Sequence, residues 1–144
     1  MTSILKAVKR AETTANNRHY DTIFWAIDLH GVILHSTYAQ GHYQVTNDHA
    51  ITFMRYLSAI ERHRIIIWSS CHDEEKPAII AFLESHGIKV DYFNENPEVE
   101  NTHSGAFDQK FYFSILLDDK AGFDPDTDWE ALIDYYGVGL LESV

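Results

Sequence analysis

The stretch IFWAIDLHGV, residues 23–32, decides the fold of this chain. A short apolar run with β-branched and aromatic residues is typical of a strand buried on both faces. The run stops abruptly at Asp28, which places a carboxylate at the carboxyl end of the predicted strand. Open α/β sheets bind their ligands in the crevice beyond these strand ends. Asp28 is therefore the first candidate for a functional residue.

A second run of the same kind, FSILL at residues 113–117, is followed by Asp118 and Asp119. Two strands of one short chain would thus deliver carboxylates to one edge of a sheet. Mg²⁺ prefers oxygen ligands and shares them with phosphate groups. The pattern indicates a site for Mg²⁺ and a phosphorylated substrate. The alternative for the adjacent pair is an ordinary solvated turn.

Strand and helix patterns alternate along the chain, which predicts a mostly parallel sheet with helices on both faces. Trp25 and Trp68 are predicted to lie in the core. Strands are predicted over residues 23–27, 64–68, 90–93 and 113–117, with 137–140 as a further edge strand. Helices are predicted over 3–17, from 47 or 48 to about 63, from 73–77 to 87, and from 126 or 127 to 136. Residues 31–46 are predicted to form a loop or hairpin, and residues 94–109 a loop.

Composition limits the class of protein. The 144 residues suffice for one domain, 1–144, with its first twenty residues holding the N-terminal helix. The net charge of −11 argues against general binding to nucleic-acid backbones. No apolar stretch approaches the ~18 residues of a membrane span, so no membrane contact is expected. The single cysteine, Cys71, excludes an intramolecular disulfide framework and fits a reducing cytoplasm.

Three motifs in order resemble the haloacid dehalogenase (HAD) superfamily of phosphotransferases. They are DLHGV at residues 28–32, IIIWSS at 65–70 and KFYFSILLDDKA at 110–121, and the resemblance covers residues 24 to about 129. It implies a single three-layer α/β/α sandwich with a Rossmann-like parallel sheet. The short spacing between the motifs leaves no room for a separate cap domain. A capless member of this kind would have an open site, covered only by the excursion at 31–46.

The resemblance also implies a phosphomonoester hydrolase. Asp28 would attack phosphorus and form an aspartyl-phosphate, which splits one displacement into two. Mg²⁺ would be held by Asp28, by the backbone carbonyl of His30 and by Asp118, with Asp119 beside them.

Two further residues take roles by the same resemblance. Ser69 would hydrogen-bond a phosphate oxygen, and Lys110 would neutralise charge between Asp28 and the phosphate. Ser69 has the alternative role of capping the helix that follows it. Lys110 has the alternative of an ordinary surface lysine, and Lys89 competes with it for the catalytic role.

His30 departs from the family pattern, which usually has an aspartate at this position. That aspartate protonates the leaving oxygen and then activates water. Histidine can do the same work because its unperturbed pKa, about 6.5, lies close to a useful operating pH. His30 is therefore either a working substitute or the mark of slow or lost catalysis.

Two functional hypotheses follow, and a third is weaker. The first is a Mg²⁺-dependent hydrolase acting on a phosphorylated small molecule or a terminal phosphate. The second is a weak or inactive phosphate- or metal-binding domain with a regulatory or assembly role. In either case a homo-oligomer or a partner protein could cover the open site. A receiver-type module phosphorylated on Asp28 is disfavoured, because its acidic pair would normally precede that strand.

Overall fold

The computed structural model describes residues 2–36 and 43–139, which form an α/β structure. Four helices flank a parallel four-stranded sheet of order β3-β2-β1-β4. In chain order the elements are α1 Ser3–Arg18, β1 Ile23–Asp28, α2 Asp48–Ala59, β2 His63–Trp68, α3 Lys76–Ser85, β3 Tyr92–Phe93, β4 Ile115–Leu117 and α4 Asp128–Tyr136. Short 3₁₀ turns at Asp73–Glu75 and Asp119–Ala121 precede α3 and follow β4. The predicted fold class, a Rossmann-like parallel sheet in a single layered domain, is confirmed.

The main core lies on the sheet face that carries Trp25 and Ile27. The parallel register aligns Trp25 with Ile65 and with Ile115, so these side chains point to the same face. They join one buried cluster that includes residues of all four helices. Trp25 is fully buried and meets Phe53 of α2 edge to face at 5.5 Å. Burying one such large apolar side chain contributes roughly 1.5–3 kcal/mol.

Helices are predicted on both faces of the sheet, but within residues 2–36 and 43–139 the opposite face is covered by the chain between β3 and β4 and not by a helix. Phe24 on this face meets Tyr112 edge to face at 6.1 Å. Asn96 is buried, and its Nδ2 donates to the Tyr112 carbonyl at 2.9 Å. The connection from β3 back past β1 to β4 reverses the direction of travel, so a right-handed crossover places it here. Residues 94–109 form the predicted loop.

β4 begins two residues later than predicted, at Ile115. Ser114 N donates to the Phe24 carbonyl, and Ser114 Oγ accepts from Phe24 N at 3.0 Å. The serine hydroxyl thus replaces a ladder bond that the strand backbone would supply.

Two other expectations are corrected. Residues 137–139 form a turn, not the predicted edge strand, because Gly137 and Gly139 both have positive φ; Leu140 lies outside the described residues. Trp68 is 42% exposed instead of lying in the core. It is the last residue of β2 and lies on the face that carries no helix in the described ranges.

The excursion at 31–46 is paired as a hairpin at its base. Leu34 forms an antiparallel bridge with Val45, and His35 N donates to the Gln44 carbonyl. Residues 37–42 lie outside the described part of the excursion. No helix in the described ranges is long and apolar enough to cross a membrane.

His63 makes the stability of the fold depend on pH. The residue is 7% exposed, and its Nδ1 accepts from Trp25 Nε1 at 3.0 Å. Burial, with a smaller contribution from Arg62, lowers the pKa of His63 to about 4. Between about pH 6.5 and 4 the unfolded chain therefore binds a proton that the native state excludes. Stability should fall as pH falls through this window, by at most about 1.4 kcal/mol per pH unit from this group.

We expect His63→Gln to flatten this dependence, because glutamine can accept from Trp25 and does not titrate. Urea denaturation at several pH values between 7.5 and 4.5 measures the slope. His72→Gln, at an exposed position, is the matched control and should keep the slope of the unaltered chain. Equal slopes in the His63→Gln and His72→Gln proteins would contradict the assignment.

Candidate functional site

Three carboxylates meet at the carboxyl edge of the sheet. Asp28 ends β1, and Asp118 and Asp119 directly follow β4, which pairs in parallel with β1. One oxygen from each of the three lies within 4.8 Å of the others. Asp28 and Asp118 are half-buried and Asp119 is exposed. Adjacent parallel strands end at the same edge, so the register of β1 and β4 creates this cluster.

The surroundings of Asp28 disfavour the charged form of its carboxyl group. Burial, a side-chain hydrogen bond with Asp119 and the negative charges of Asp118 and Asp119 together raise the pKa of Asp28 to about 7. A hydrogen bond of 2.9 Å from Leu29 N to Asp28 Oδ1 opposes them. Like charges this close favour a proton or a cation between them. The arrangement can therefore accept a positive charge.

A tight turn directly after Asp28 shapes one wall of the site. The amides of Ile33 and Leu34 both donate to the Leu29 carbonyl, at 3.0 and 2.9 Å. Leu29, Ile33 and Leu34 are fully buried, which anchors the turn in the core. Gly31 within it has φ +89°, and a Cβ there would lie 2.6 Å from Asp119 Oδ2. Glycine thus permits the turn to contact the carboxylate.

The second wall is the turn at Asp118. Asp118 Oδ1 accepts from Lys120 N at 2.9 Å, and the Asp118 carbonyl accepts from Ala121 N and Phe123 N. Phe123 is buried against Trp129, whose Nε1 donates to the Val32 carbonyl at 3.0 Å. The core side chains of α4 thereby connect both turns that carry the acidic cluster.

Ser69 lies at the same edge, one residue beyond the Trp68 that pairs with Asp28. Its Oγ accepts from Cys71 N at 3.2 Å, and its O–H donates to no group in the described part of the chain, so it can donate to a ligand oxygen. Asn94 fixes the backbone here, because its Oδ1 accepts from Ser69 N at 2.8 Å and its Nδ2 donates to the Ser69 carbonyl at 2.7 Å. Asn94 has φ +59°, a conformation that asparagine tolerates.

Asn94 was not among the residues singled out from the sequence. The signal for it is modest: an asparagine directly after a short predicted strand, where a left-handed turn is common.

His30 follows Asp28 within the first turn. Its Nδ1 is buried and has no hydrogen-bond partner among the described residues. A buried polar atom without a partner costs roughly 1–3 kcal/mol and calls for an explanation. A bound group or a water molecule at the site would provide the missing partner.

Lys110 is not placed in the acidic cluster. It is exposed, and its Nζ lies 5.6 Å from the centre of the Phe113 ring. No lysine contributes to the shifted pKa of Asp28. Within the described residues Lys110 forms no ion pair, and Lys89 pairs with Asp91 at 3.5 Å. Lys110 lies in the irregular segment between β3 and β4, and the path of such a segment cannot be predicted from hydrophobic periodicity.

The donor set fits a hard divalent cation. Around Mg²⁺ at 2.0–2.1 Å, neighbouring ligand oxygens are roughly 2.9 Å apart and opposite ones roughly 4.1 Å. The three carboxylate oxygens all lie within 4.8 Å of one another and would need to move closer together to bind Mg²⁺, while Ca²⁺ at 2.3–2.6 Å accepts up to roughly 4.6–5.2 Å between opposite ligands. Three carboxylate oxygens without nitrogen or sulfur ligands favour these ions over zinc.

The comparisons with known proteins bear on the fold. One solved structure, a conserved protein coded by a locus of Bacteroides thetaiotaomicron, is similar to this chain with a TM-score of 0.62 and 22% sequence identity. The match covers 81% of this chain and 90% of that one. No protein-family model and no curated protein matches. At this identity the likeness shows a shared α/β fold.

Removing one charge from the cluster should stabilise the metal-free protein. In EDTA at pH 8, we expect Asp119→Asn to raise the melting temperature by roughly 2–4 °C, corresponding to about 1 kcal/mol after solvent screening. The gain should shrink below pH 7, because Asp28 is then protonated in the native state and repels less. Adding Mg²⁺ or Ca²⁺ should stabilise the unaltered protein more than the variant.

Asp134→Asn on the exposed surface of α4 is the matched control, with the same change in charge outside the cluster. Differential scanning calorimetry measures all three proteins. A lower melting temperature for Asp119→Asn in EDTA, or equal stabilisation of all three by the cations, would contradict a metal site here.

Proposed function

We propose that this protein is a Mg²⁺-dependent phosphomonoester hydrolase that acts through an aspartyl-phosphate on Asp28. The observation that carries the proposal is the meeting of Asp28 with Asp118 and Asp119 within 4.8 Å at the ends of two adjacent parallel strands. The order of the motifs, which resembles the HAD superfamily, supports it. The substrate class is a phosphorylated small molecule or a terminal phosphate, and the compartment is the cytoplasm.

In the first step, a carboxylate oxygen of Asp28 attacks phosphorus while the bond from phosphorus to the ester oxygen breaks. The hydrogen bond from Leu29 N to Oδ1 orients the carboxylate for this attack. Ser69 donates its O–H to a phosphate oxygen, and Asn94 holds the backbone of Ser69 in place. Asp28, Asp118, Asp119 and the His30 carbonyl would hold Mg²⁺, which supplies neutralisation of phosphate charge.

His30 is proposed to move the protons. Its imidazolium donates a proton to the leaving alkoxide in the first step. In the second step the neutral ring takes a proton from water as that water attacks the acyl-phosphate. Inorganic phosphate and the free Asp28 carboxylate result, and His30 is again protonated. The buried Nδ1 has no hydrogen-bond partner among the described residues, so it is available for such an exchange.

The alternative is a phosphate- or metal-binding domain without effective catalysis. Two observations favour it. His30 occupies a position that in the family usually holds an aspartate, and no lysine shifts the pKa of Asp28. A domain of this kind would keep the acidic cluster and the Ser69 turn for binding while releasing no alcohol from a phosphate ester.

Asp28→Asn should abolish hydrolysis of para-nitrophenyl phosphate while leaving the fold intact. The amide is nearly isosteric with the carboxylate but cannot attack phosphorus. Steady-state rates with Mg²⁺ and with EDTA measure the effect, circular dichroism checks the fold, and Asp134→Asn is the charge-matched control. A purified Asp28→Asn protein that turns over at the unaltered rate would refute the nucleophile.

The three-way comparison of histidine, alanine and aspartate at position 30 separates the two functions. If His30 is the acid and base, His30→Ala should slow turnover roughly 10²-fold or more, and the unaltered rate should depend on pH near the histidine's pKa. His30→Asp should keep or raise activity. An inert natural protein with an active His30→Asp variant would establish the binding domain instead.

A further inference from the structure

We propose that Trp68 forms the binding platform for an aromatic ring carried by the phosphomonoester substrate. This inference rests on the proposed function, since it takes the acidic cluster as the site of the phosphate. The phosphate would bind at the acidic cluster, and the leaving group of the substrate would bind at Trp68. The ring would stack on the exposed indole beside the phosphate site.

The register of the sheet places Trp68 next to the acidic cluster. Trp68 is the direct partner of Asp28 across the parallel ladder of β1 and β2. Adjacent strands lie about 4.8 Å apart, and partners in register point to the same face. The indole is therefore a neighbour of the Asp28 carboxylate. A planar group joined through an ester oxygen to phosphorus at Asp28 is within reach of it.

The exposure of Trp68 is unusual for its position. Four large apolar side chains are exposed in the described residues: Tyr20, Ile60, Trp68 and Tyr135. Tyr20 and Ile60 precede β1 and β2 at the amino edge of the sheet, and Tyr135 lies near the end of α4. Trp68 is the member of this group that lies at the carboxyl edge, where the candidate site is.

The indole is supported from the side by the chain between β3 and β4. Phe111 meets Trp68 edge to face at 5.3 Å, and Phe113 meets Phe111 in the same way at 5.9 Å. Edge-to-face pairs of this kind attract each other beyond the effect of burial, so they hold the indole in one orientation. Lys110 lies over Phe113 and adds a positive charge to this aromatic cluster. Trp68 nevertheless remains 42% exposed.

A phosphate ester that carries a planar ring fits these features better than one with a short alkyl group. An exposed indole gains substantially from a planar ring, because the two faces stack and exclude water from each other. Both an aryl phosphate and a nucleoside monophosphate carry the required ring and phosphate, and they differ in the spacer between them.

Binding of three non-hydrolysable phosphonates in the presence of Mg²⁺ tests the proposal. Benzylphosphonate represents an aryl phosphate, the phosphonomethyl analogue of adenosine 5′-monophosphate represents a nucleotide, and ethylphosphonate lacks a ring. Isothermal titration calorimetry should show at least one ring-bearing ligand binding about 10-fold tighter than ethylphosphonate. The ring-bearing ligand that binds more tightly shows which spacer between ring and phosphorus the site accepts. Trp68→Ala should abolish this difference, Trp68→Phe should retain most of it, and Tyr135→Ala should leave it unchanged.

Tryptophan fluorescence provides an independent readout. Trp25 and Trp129 are fully buried, so quenching by acrylamide should report mainly on Trp68. The ring-bearing ligand that binds tighter should protect the emission from acrylamide, and ethylphosphonate should not.

The outcomes separate this inference from the proposed function. Equal affinities for ringed and ringless phosphonates, or a difference that survives Trp68→Ala, would overturn the platform. If ethylphosphonate still binds only with Mg²⁺, the phosphate site is supported although the platform is refuted. If no phosphonate binds with Mg²⁺ and para-nitrophenyl phosphate is not hydrolysed, both the proposed function and the platform fall.

Discussion

The fold holds the carboxylates of Asp28, Asp118 and Asp119 close together although they repel one another, and the candidate site depends on this arrangement. Their separation is set by the parallel pairing of β1 with β4 and by Gly31, whose lack of a Cβ lets the first turn approach Asp119. Burial adds to the cost by removing water from Asp28. The core contacts of the surrounding turns, such as Trp129 bonded to the Val32 carbonyl, outweigh this repulsion. A chain folded only for stability would gain by losing one of these charges, which is why the cluster indicates function.

Strand β1 contributes side chains both to the acidic cluster and to the hydrophobic core. Asp28 ends the strand that carries Trp25, one of the two fully buried tryptophans. Any slip of β1 by one residue would exchange the two faces and move Trp25 out of the core. The register that buries Trp25 therefore also aligns Asp28 with Trp68 and brings it beside β4. Packing on one face of the sheet therefore determines which side chains lie at its carboxyl edge.

The sequence was most informative where one physical requirement dominates. A short apolar run ended by a carboxylate has few structural interpretations, so Asp28 and Asp118 could be assigned to one edge. Trp68 could not be assigned correctly, because its exposure depends on the crossover from β3 to β4 lacking a helix. The position of Lys110 depends on the same irregular segment, whose path follows from particular contacts such as Asn96 with the Tyr112 carbonyl. Hydrophobic periodicity carries no information about contacts of that kind.

The backbone around His30 is fixed independently of the side chain at that position. The backbone of the first turn is fixed by the bonds of Ile33 and Leu34 to the Leu29 carbonyl, whatever side chain stands at position 30. Metal binding through the His30 carbonyl would thus be independent of proton transfer through its ring. An aspartate there would add a fourth carboxylate to a cluster that already raises the pKa of Asp28 to about 7. A histidine avoids that added repulsion and can still exchange a proton in the proposed reaction.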